Sequence, residues 1–560
     1  MRVGNRSISR KFCAAIVIVG GALLATSVRA NPALEGYLNQ ESLAKQLVEL
    51  DRSDLVKLES IGLSRGGRNI WALTVGSGDG PAFAVVGNVQ GAHLVGSELC
   101  LRMAQQLVRR AEADEAIRKL LQQHTFYFIP RPDPDASEKL FAAPWRLPAG
   151  NDRRTDDDRD FEIAEDPFED LSGDGWITMM RVADDAGTHI PHPDDPRVMI
   201  AADKNKNERG RYRIYTEGRD NDGDEQWNED AGDGVALDRS FPFRYQPFGP
   251  NRGPHSASEP ETQSLIHFLF DRPRIAMIVC FSPDENVIHT WKPNGDLERQ
   301  RIKTAVLGAD APAYEYFSGE YKRLAGISEA PGAADAPGSF AGWAYFHRGA
   351  WSLAIRGWSI PKVEPEGDQK PKDGRAADEL NALRWLQREK MDGFLAWKAV
   401  DHPDFPGKQV EVGGFRPGVF LNPPAKELDG LAEKHMQFLL GLPPLLPQVS
   451  IAQTRVEVLG ANVVRVTATC LNRGYLASMP EMGQVNGQAY PLQIALTAPA
   501  NTKFLRGSPR QRVPRLTGNG GSHEASWLLR LPGPPPASLK LQLAAPAVGT
   551  SSVDLEIKGG

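Results

Sequence analysis

The chain has 560 residues, of which 41% are hydrophobic and 24% are charged, and its formal net charge is −6. This length exceeds what one hydrophobic core supports, so we predict a soluble globular protein with two or more domains. The composition excludes a chain that is disordered throughout, and no basic stretch predicts a nucleic-acid partner.

The first 30 residues have the features of a secretory signal peptide. Basic residues between Arg2 and Lys11 precede an apolar run at 12–26, and Ala30 ends a small-x-small cleavage site. The run is too short and wrongly flanked to span a membrane. We therefore predict a signal peptide over 1–30 and a secreted or periplasmic protein whose mature chain has no transmembrane segment. A retained anchor is the alternative.

Residues 31–445 alternate between strand and helix patterns. The predicted elements are strand 82–87, helix 96–109, strand 125–129, helix 258–270, strands 275–281 and 352–355, and helices 376–400 and 426–440. Apolar strands interleaved with helices predict an α/β domain with a mixed, mostly parallel sheet covered on both faces. Ligands of such sheets bind beyond the carboxyl ends of the strands, where Gln90, Phe281 and Arg356 fall.

The C-terminal part of the chain has a different pattern. A proline-rich run at 442–448 predicts a hinge, and the short alternating stretches that follow predict a β-sandwich over 446–560. The sandwich is interpreted as a stabilising appendage, with carbohydrate or protein binding as the alternative. Cys100, Cys280 and Cys470 are widely separated, which predicts buried thiols rather than disulfides.

Five segments in chain order carry a family resemblance. They are Ser60-Ile-Gly-Leu-Ser-Arg-Gly-Gly-Arg68, Gly87-Asn-Val-Gln90-Gly-Ala-His93, Pro130-Arg-Pro-Asp-Pro-Asp135, Gly234-Val-Ala-Leu-Asp238-Arg239-Ser-Phe-Pro242 and Ser352-Leu-Ala-Ile-Arg356. Together they resemble the motifs of the zinc metallocarboxypeptidase family, whose members are similar to carboxypeptidase A. Five matches on the correct elements are a specific signal. The resemblance implies a carboxypeptidase-like mixed sheet flanked by helices.

The resemblance also implies a zinc ion held by two His and one Glu, with a second Glu as the general base. In this register the three zinc positions hold Gln90, His93 and Phe281, and the base position holds Arg356. A neutral amide is a poor zinc donor and a phenyl ring has no lone pair. Arg356 is permanently protonated and cannot accept a proton. Zinc is the cofactor expected from the family, and its site is predicted to be degenerate.

The first functional hypothesis is a catalytically inactive relative that binds peptide C-termini or a protein partner through the inherited cleft. Arg239 matches the family arginine that grips a terminal carboxylate, and Arg356 would be a second cation. An internal salt bridge, such as Arg356 with Asp238, is the alternative for these residues. The second hypothesis is an active carboxypeptidase or amidase with rearranged ligands, and the third is a structural cell-surface protein. Rearranged ligands would combine His93 with acidic or His neighbours: Asp284, Glu285 or His289.

An insertion over about 150–234 concentrates acidic residues. Alternating carboxylates with a turn glycine and a later acid are the donors that calcium requires, which predicts isolated calcium loops in place of paired EF-hands. A solvated acidic loop is the alternative. The candidate ligands are Asp156, Asp158, Asp160, Glu165, Asp170, Ser172, Asp174, Asp220, Asp222, Asp224 and Glu229.

Overall fold

The computed structural model describes residues 31–155, 163, 166–221, 223, 225, 227–228, 234–327, 336–365, 373–534 and 537–557. The predicted signal peptide lies outside these residues. Within the described ranges, no helix has both the length and the apolar character needed to cross a membrane.

The strands are numbered in chain order. They are β1 (Val56–Leu63), β2 (Asn69–Val75), β3 (Ala82–Val86), β4 (Phe126–Ile129), β5 (Met179–Ala183), β6 (His189–Pro191), β7 (Met199–Ala201), β8 (Tyr212–Thr216), β9 (Ile275–Phe281), β10 (Trp351–Ile355), β11 (Phe394–Val400), β12 (Val410–Phe415), β13 (Val449–Val458), β14 (Val463–Asn472), β15 (Gln493–Thr497), β16 (Lys503–Arg506), β17 (Arg510–Arg512), β18 (Gly521–Arg530), β19 (Ala537–Ala545) and β20 (Gly549–Ile557).

The α-helices are α1 (Gln40–Leu50), α2 (Leu94–Ala113), α3 (Glu115–Gln123), α4 (Pro134–Lys139), α5 (Pro260–Phe270), α6 (Gly295–Arg299), α7 (Ala311–Ala325), α8 (Phe340–Phe346), α9 (Ala377–Glu389), α10 (Leu428–Gly441) and α11 (Glu481–Val485).

The central sheet has the strand order β1-β2-β4-β3-β9-β10. Strands β4, β3, β9 and β10 run parallel to one another, while β2 pairs antiparallel with both β1 and β4. Every residue of β3, β4, β9 and β10 is buried, as expected for parallel strands under helices. Helix α2 packs against β3 and β4, and α8 packs against β10. These features confirm the predicted α/β class and its mixed sheet.

A second sheet was not predicted from the sequence. It is antiparallel, with the order β11-β12-β5-β8-β6-β7, and it joins part of the acidic insertion to residues after α9. The predicted helix 376–400 is therefore wrong beyond Glu389. Helix α9 ends at Lys390, which has a left-handed backbone (φ 54°), and the next segment pairs as β11 with β12. Tertiary pairing overrides local helix propensity here.

The C-terminal region is a β-sandwich, as predicted. Its two antiparallel sheets have the orders β13-β14-β18-β16 and β17-β15-β19-β20. Alternate residues of β14 are buried, and Trp527 and Leu529 of β18 belong to the same core. Helix α10 ends at Gly441 and β13 begins at Val449. The domain division at 445/446 stays a prediction.

Candidate functional site

Four of the predicted cleft residues lie at the carboxyl ends of three adjacent strands of the central sheet. Gln90 lies in the turn after β3, and His93 immediately precedes α2. Phe281 ends β9, and Arg356 follows β10 directly. Arg239 lies in a short 3-10 turn, Leu237–Arg239. Strand order β3-β9-β10 is what brings these separate segments together.

His93 is completely buried. Its Nε2 lies 3.0 Å from the backbone oxygen of Arg356. Its Nδ1 is also buried and has no hydrogen-bond partner among the described residues. Burial, with a contribution from the nearby Arg356 charge, lowers the pKa of His93 to about 3. The imidazole is therefore neutral at physiological pH.

Phe281 fills the third zinc position with a packed ring. Its side chain is buried, and its ring centroid lies 5.5 Å from that of His435. The neighbouring helix approaches so closely that a Cβ on Gly96 would lie 2.6 Å from Phe281 Cβ. Phe281 is thus part of the core that holds α2 against β9.

Gln90 takes part in a polar network with two acids and Arg239. Its Nε2 donates to Asp284 Oδ2 at 3.0 Å and, more weakly, to Asp238 Oδ2 at 3.4 Å. An Nη of Arg239 donates to Asp284 Oδ2 at 2.8 Å. Burial lowers the pKa of Arg239, but attraction from Asp238 and Asp284 outweighs it and leaves the pKa above its ordinary value.

Asp238 is buried, and the backbone N–H of Phe340 donates to its Oδ1 at 2.7 Å. Burial raises the pKa of Asp238 to about 6; repulsion from Asp284 adds to the rise, while Arg239 opposes it. Sequence reasoning treated Asp284 only as a possible metal ligand. The structure gives it a different place, as the ion-pair partner of Arg239.

Arg356 differs from Arg239 in its partners. Among the described residues, its guanidinium has no ion pair, and its buried Nε has no hydrogen-bond partner. Burial lowers the pKa of Arg356, although Asp378 and Glu285 act in the opposite direction. Arg356 is not paired with Asp238, so the salt bridge considered from the sequence is absent from the described residues.

These residues do not fit a zinc ion. The ligand positions hold a single imidazole, the amide of Gln90 is engaged with two acids, and Phe281 offers no donor. Across the described residues, no group of three or more His, Cys, Asp or Glu side chains could hold a metal ion.

The rearranged ligand set is also not assembled. Both carboxylate oxygens of Glu285 accept backbone N–H groups, from Val287, Ile288 and His289 at 2.6–3.1 Å. Glu285 therefore stabilises the turn after β9. In the structure, this arrangement does not direct Glu285 toward His93.

Most of the candidate calcium ligands lie outside the described residues. These are Asp156, Asp158, Asp160, Glu165, Asp222, Asp224 and Glu229. In the described part, Asp170 accepts the backbone N–H groups of Gly173, Asp174 and Gly175 at 2.7–3.2 Å. Asp220 accepts those of Gly223 and Glu225 in a related pattern. In both loops the first carboxylate thus accepts backbone N–H groups of the residues that follow it.

A cavity of about 580 Å³ lies elsewhere, on one face of the second sheet. Its lining includes the aromatic residues Phe168, Phe394, Trp397, Phe415 and Phe420, and none of the cleft residues named above. Sequence reasoning missed it because the sheet that forms it was not predicted.

Comparisons with known proteins agree with the motifs. The family model described as zinc carboxypeptidase matches residues 43–174. Carboxypeptidase SOL1 of Arabidopsis thaliana is 30% identical over 149 residues, which are 25% of this chain and 29% of that protein. Mouse carboxypeptidase M is 34% identical over 112 residues, 19% of this chain and 25% of that protein. Through this segment the chain is similar to the zinc carboxypeptidase family. It matches less than a third of the length of either relative.

Two further findings complete the comparison. Carboxypeptidase A from Helicoverpa armigera has 12% sequence identity and a TM-score of 0.35, covering 65% of this chain and 75% of that one. A score at this level adds nothing to the fold assignment, which comes from strand order and packing. A domain of unknown function (DUF8731) matches residues 448–556.

Proposed function

We propose that this protein is a secreted, catalytically inactive member of the zinc carboxypeptidase family, which binds a peptide C-terminus or a protein partner through the inherited cleft. The observation that carries the proposal is the buried phenyl ring of Phe281 at the third ligand position. Beside it, the amide of Gln90 donates to Asp284 and Asp238. Metal, activated water and proton acceptor would all be lost together.

Arg356 is the residue that would bind the ligand. Its guanidinium is half-buried and has no ion pair among the described residues, so a peptide carboxylate would gain a charge-assisted partner there. Arg239 is already engaged by Asp284. It would support binding by neutralising the acids beside the cleft rather than by gripping the ligand directly.

Zinc content and peptide cleavage test the inactive state. Protein purified without added metal is expected to contain far less than one zinc per chain and to release no amino acids from a peptide library. One zinc per chain, lost on replacing His93 and accompanied by C-terminal trimming, would favour an active enzyme with rearranged ligands.

Binding of the same library tests the cleft. We expect peptides with a free C-terminus to bind and their C-terminal amides not to bind. Arg356→Gln should abolish the preference, while Arg473→Gln, an exposed change on the sandwich, should leave it intact. Equal binding of acids and amides would contradict this role for Arg356.

Calcium binding by the acidic loops stays part of the proposal. It is supported by the matching N–H patterns around Asp170 and Asp220. Thermal melts with calcium and with a chelator test it, and we expect a higher Tm with calcium, because an ion offsets carboxylate repulsion. Identical curves would dismiss calcium.

A further inference from the structure

One edge of the sandwich carries an unusual concentration of positive charge. Residues 448–557 contain ten Lys or Arg and five Asp or Glu residues, although the whole chain has a net charge of −6. Half of these cations lie on or next to β16 and β17, the strands that form one edge of the two sheets. We call this set the basic edge: Lys503, Arg506, Arg510, Arg512 and Arg530. All five are exposed.

The strand register places cations of the basic edge beside one another. Lys503 of β16 is directly opposite Arg530 of β18, and Arg506 is opposite the next residue on the same face, Leu528. Like charges opposite each other across two strands lie about 5 Å apart at Cβ and destabilise the sheet. A bound anion would offset this repulsion between Lys503 and Arg530.

The chain itself does not supply that anion. Among the described residues, no ion pair is formed by any member of the basic edge, in contrast to three arginines elsewhere in the sandwich. Arg455 and Arg465 both pair with Glu457, and Arg515 pairs with Asp310. The other cations of the sandwich without an ion pair in the described part, Arg473 and Lys540, lie outside this edge.

We propose that the basic edge binds a linear anionic polysaccharide. Four of its five cations are arginines, whose planar guanidinium groups bind carboxylate, sulfate and phosphate oxygens in pairs. The cations continue from β16 to β17 through a three-residue connection, residues 507–509, so they lie on both sides of the same edge of the sandwich. A flexible linear polymer with repeating anionic groups can pass around this edge and contact both groups of cations.

Other anionic partners fit the geometry less well. Arg510 and Arg512 lie on the sandwich sheet that contains β15 and β17, whereas Lys503 and Arg530 lie on the sheet that contains β16 and β18. A flat bilayer could therefore not contact both groups at once. On the described residues of β16 and β17 there is no exposed aromatic side chain to stack on nucleic-acid bases. On the opposite edge of a second copy, Glu457 has two Arg partners and Asp554 lies opposite Lys540, so of its acids only Glu556 lacks a cation beside it among the described residues.

Binding of heparin by the full chain tests the proposal, with uncharged dextran as the control polymer. The test variant replaces four cations together, Lys503→Gln, Arg506→Gln, Arg510→Gln and Arg512→Gln. The matched control removes four other exposed charges, Arg455→Gln, Arg473→Gln, Lys540→Gln and Lys434→Gln. We expect the test variant to lose affinity by about tenfold or more, from the sum of four exposed charge contacts, and the control to change little. Binding should also weaken at about 1 M salt, where the screening length falls to about 3 Å.

Each other outcome would overturn the proposal. Equal losses in the two variants would mean that net charge alone drives binding. Tighter binding to phosphatidylglycerol vesicles or to single-stranded DNA than to heparin would assign the edge to a different partner, and salt-sensitive self-association would assign it to a second copy. Arg356→Gln should leave heparin binding unchanged, so failure here and failure of the cleft proposal are distinguishable. Unchanged melting curves would verify that the exposed substitutions do not unfold the sandwich.

Discussion

The cleft holds two arginines, Arg239 and Arg356, and two acids, Asp238 and Asp284, while His93 is kept neutral by burial. Arg239 lies 2.8 Å from Asp284 and 3.9 Å from Asp238. Arg356 occupies the position that the resemblance assigns to the general base. The net result is one guanidinium without an ion pair among the described residues.

Asp238 gives a pH-dependent prediction. Its pKa is about 6 in the fold, above the ordinary 3.8, so the folded state holds this proton more tightly than the unfolded state does. Its contribution to stability is fully present below about pH 4 and is lost as the pH rises through about 6, by roughly 3 kcal/mol in total. Asp238→Asn should abolish this loss.

Denaturant unfolding at pH 4 and at pH 7.5 measures this loss. The free energy of unfolding is determined for wild type and for Asp238→Asn at each pH, and the difference between the two proteins should change between the two pH values. The exposed Asp296→Asn serves as the control and should show no such change. A difference that is independent of pH would contradict the raised pKa of Asp238.

Substitutions of the two arginines of the cleft should change the free energy of unfolding in opposite directions. Arg356→Met removes a half-buried charge without a partner, so the free energy of unfolding should rise by about 1 kcal/mol. Arg239→Met leaves Asp238 and Asp284 without their cation, so it should lower the free energy of unfolding by about 3 kcal/mol. Chemical denaturation compares them, and a fall in stability for Arg356→Met would argue for a structural role of that residue.

Among the elements, the packing of helix α2 against the central sheet requires a glycine at position 96. Gly96 lies where α2 meets β9, and a Cβ there would come within 2.6 Å of Phe281 Cβ and 3.1 Å of the Asn88 nitrogen. This close approach holds His93 at the start of the helix and Phe281 at the end of the strand in fixed positions. The geometry of the cleft therefore depends on a helix–strand contact.

Gly96→Ala should lower the free energy of unfolding by about 1–3 kcal/mol, because a buried contact would be overpacked. Gly319→Ala is the matched control in α7, where nothing lies within 4 Å of the new Cβ. It should stabilise the protein by about 0.5–1 kcal/mol, since alanine favours an exposed helix. Differential scanning calorimetry of both variants would measure this, and equal shifts in Tm would contradict the packing argument.

At the scale of the whole molecule, one buried carboxylate links the α/β region to the sandwich. Asp310, just before α7, accepts the backbone N–H of Glu481 at 2.8 Å and pairs with Arg515 at 3.0 Å. The hydroxyl of Tyr345 donates to the same carboxylate at 2.9 Å. Asp310 has no exposed surface, so each of these partners is needed to offset its burial.

Asp310→Ala should lower the free energy of unfolding by about 3–5 kcal/mol, because it leaves the Arg515 guanidinium without its acid. The exposed Asp554→Ala in β20 is the control and should change it by less than about 0.5 kcal/mol. Limited proteolysis near residue 446 should accelerate only in the first variant. An unchanged cleavage rate would mean that other contacts hold the two regions together.

The sequence by itself determined the central α/β fold, the sandwich and the family, because these depend on local hydrophobic periodicity and on motifs of adjacent residues. The resemblance also assigns Gln90, His93 and Phe281 to the zinc positions of the family. Only the tertiary structure decided that residues 394–400 form a strand, since their pairing partner β12 lies beyond a loop and β5 lies some two hundred residues earlier. The pairing of Arg239 with Asp284, the isolation of Arg356 and the alignment of Lys503 with Arg530 likewise depend on distances between remote segments. No pattern in a single segment encodes such distances, because strand order and register are set by the packing of the whole chain.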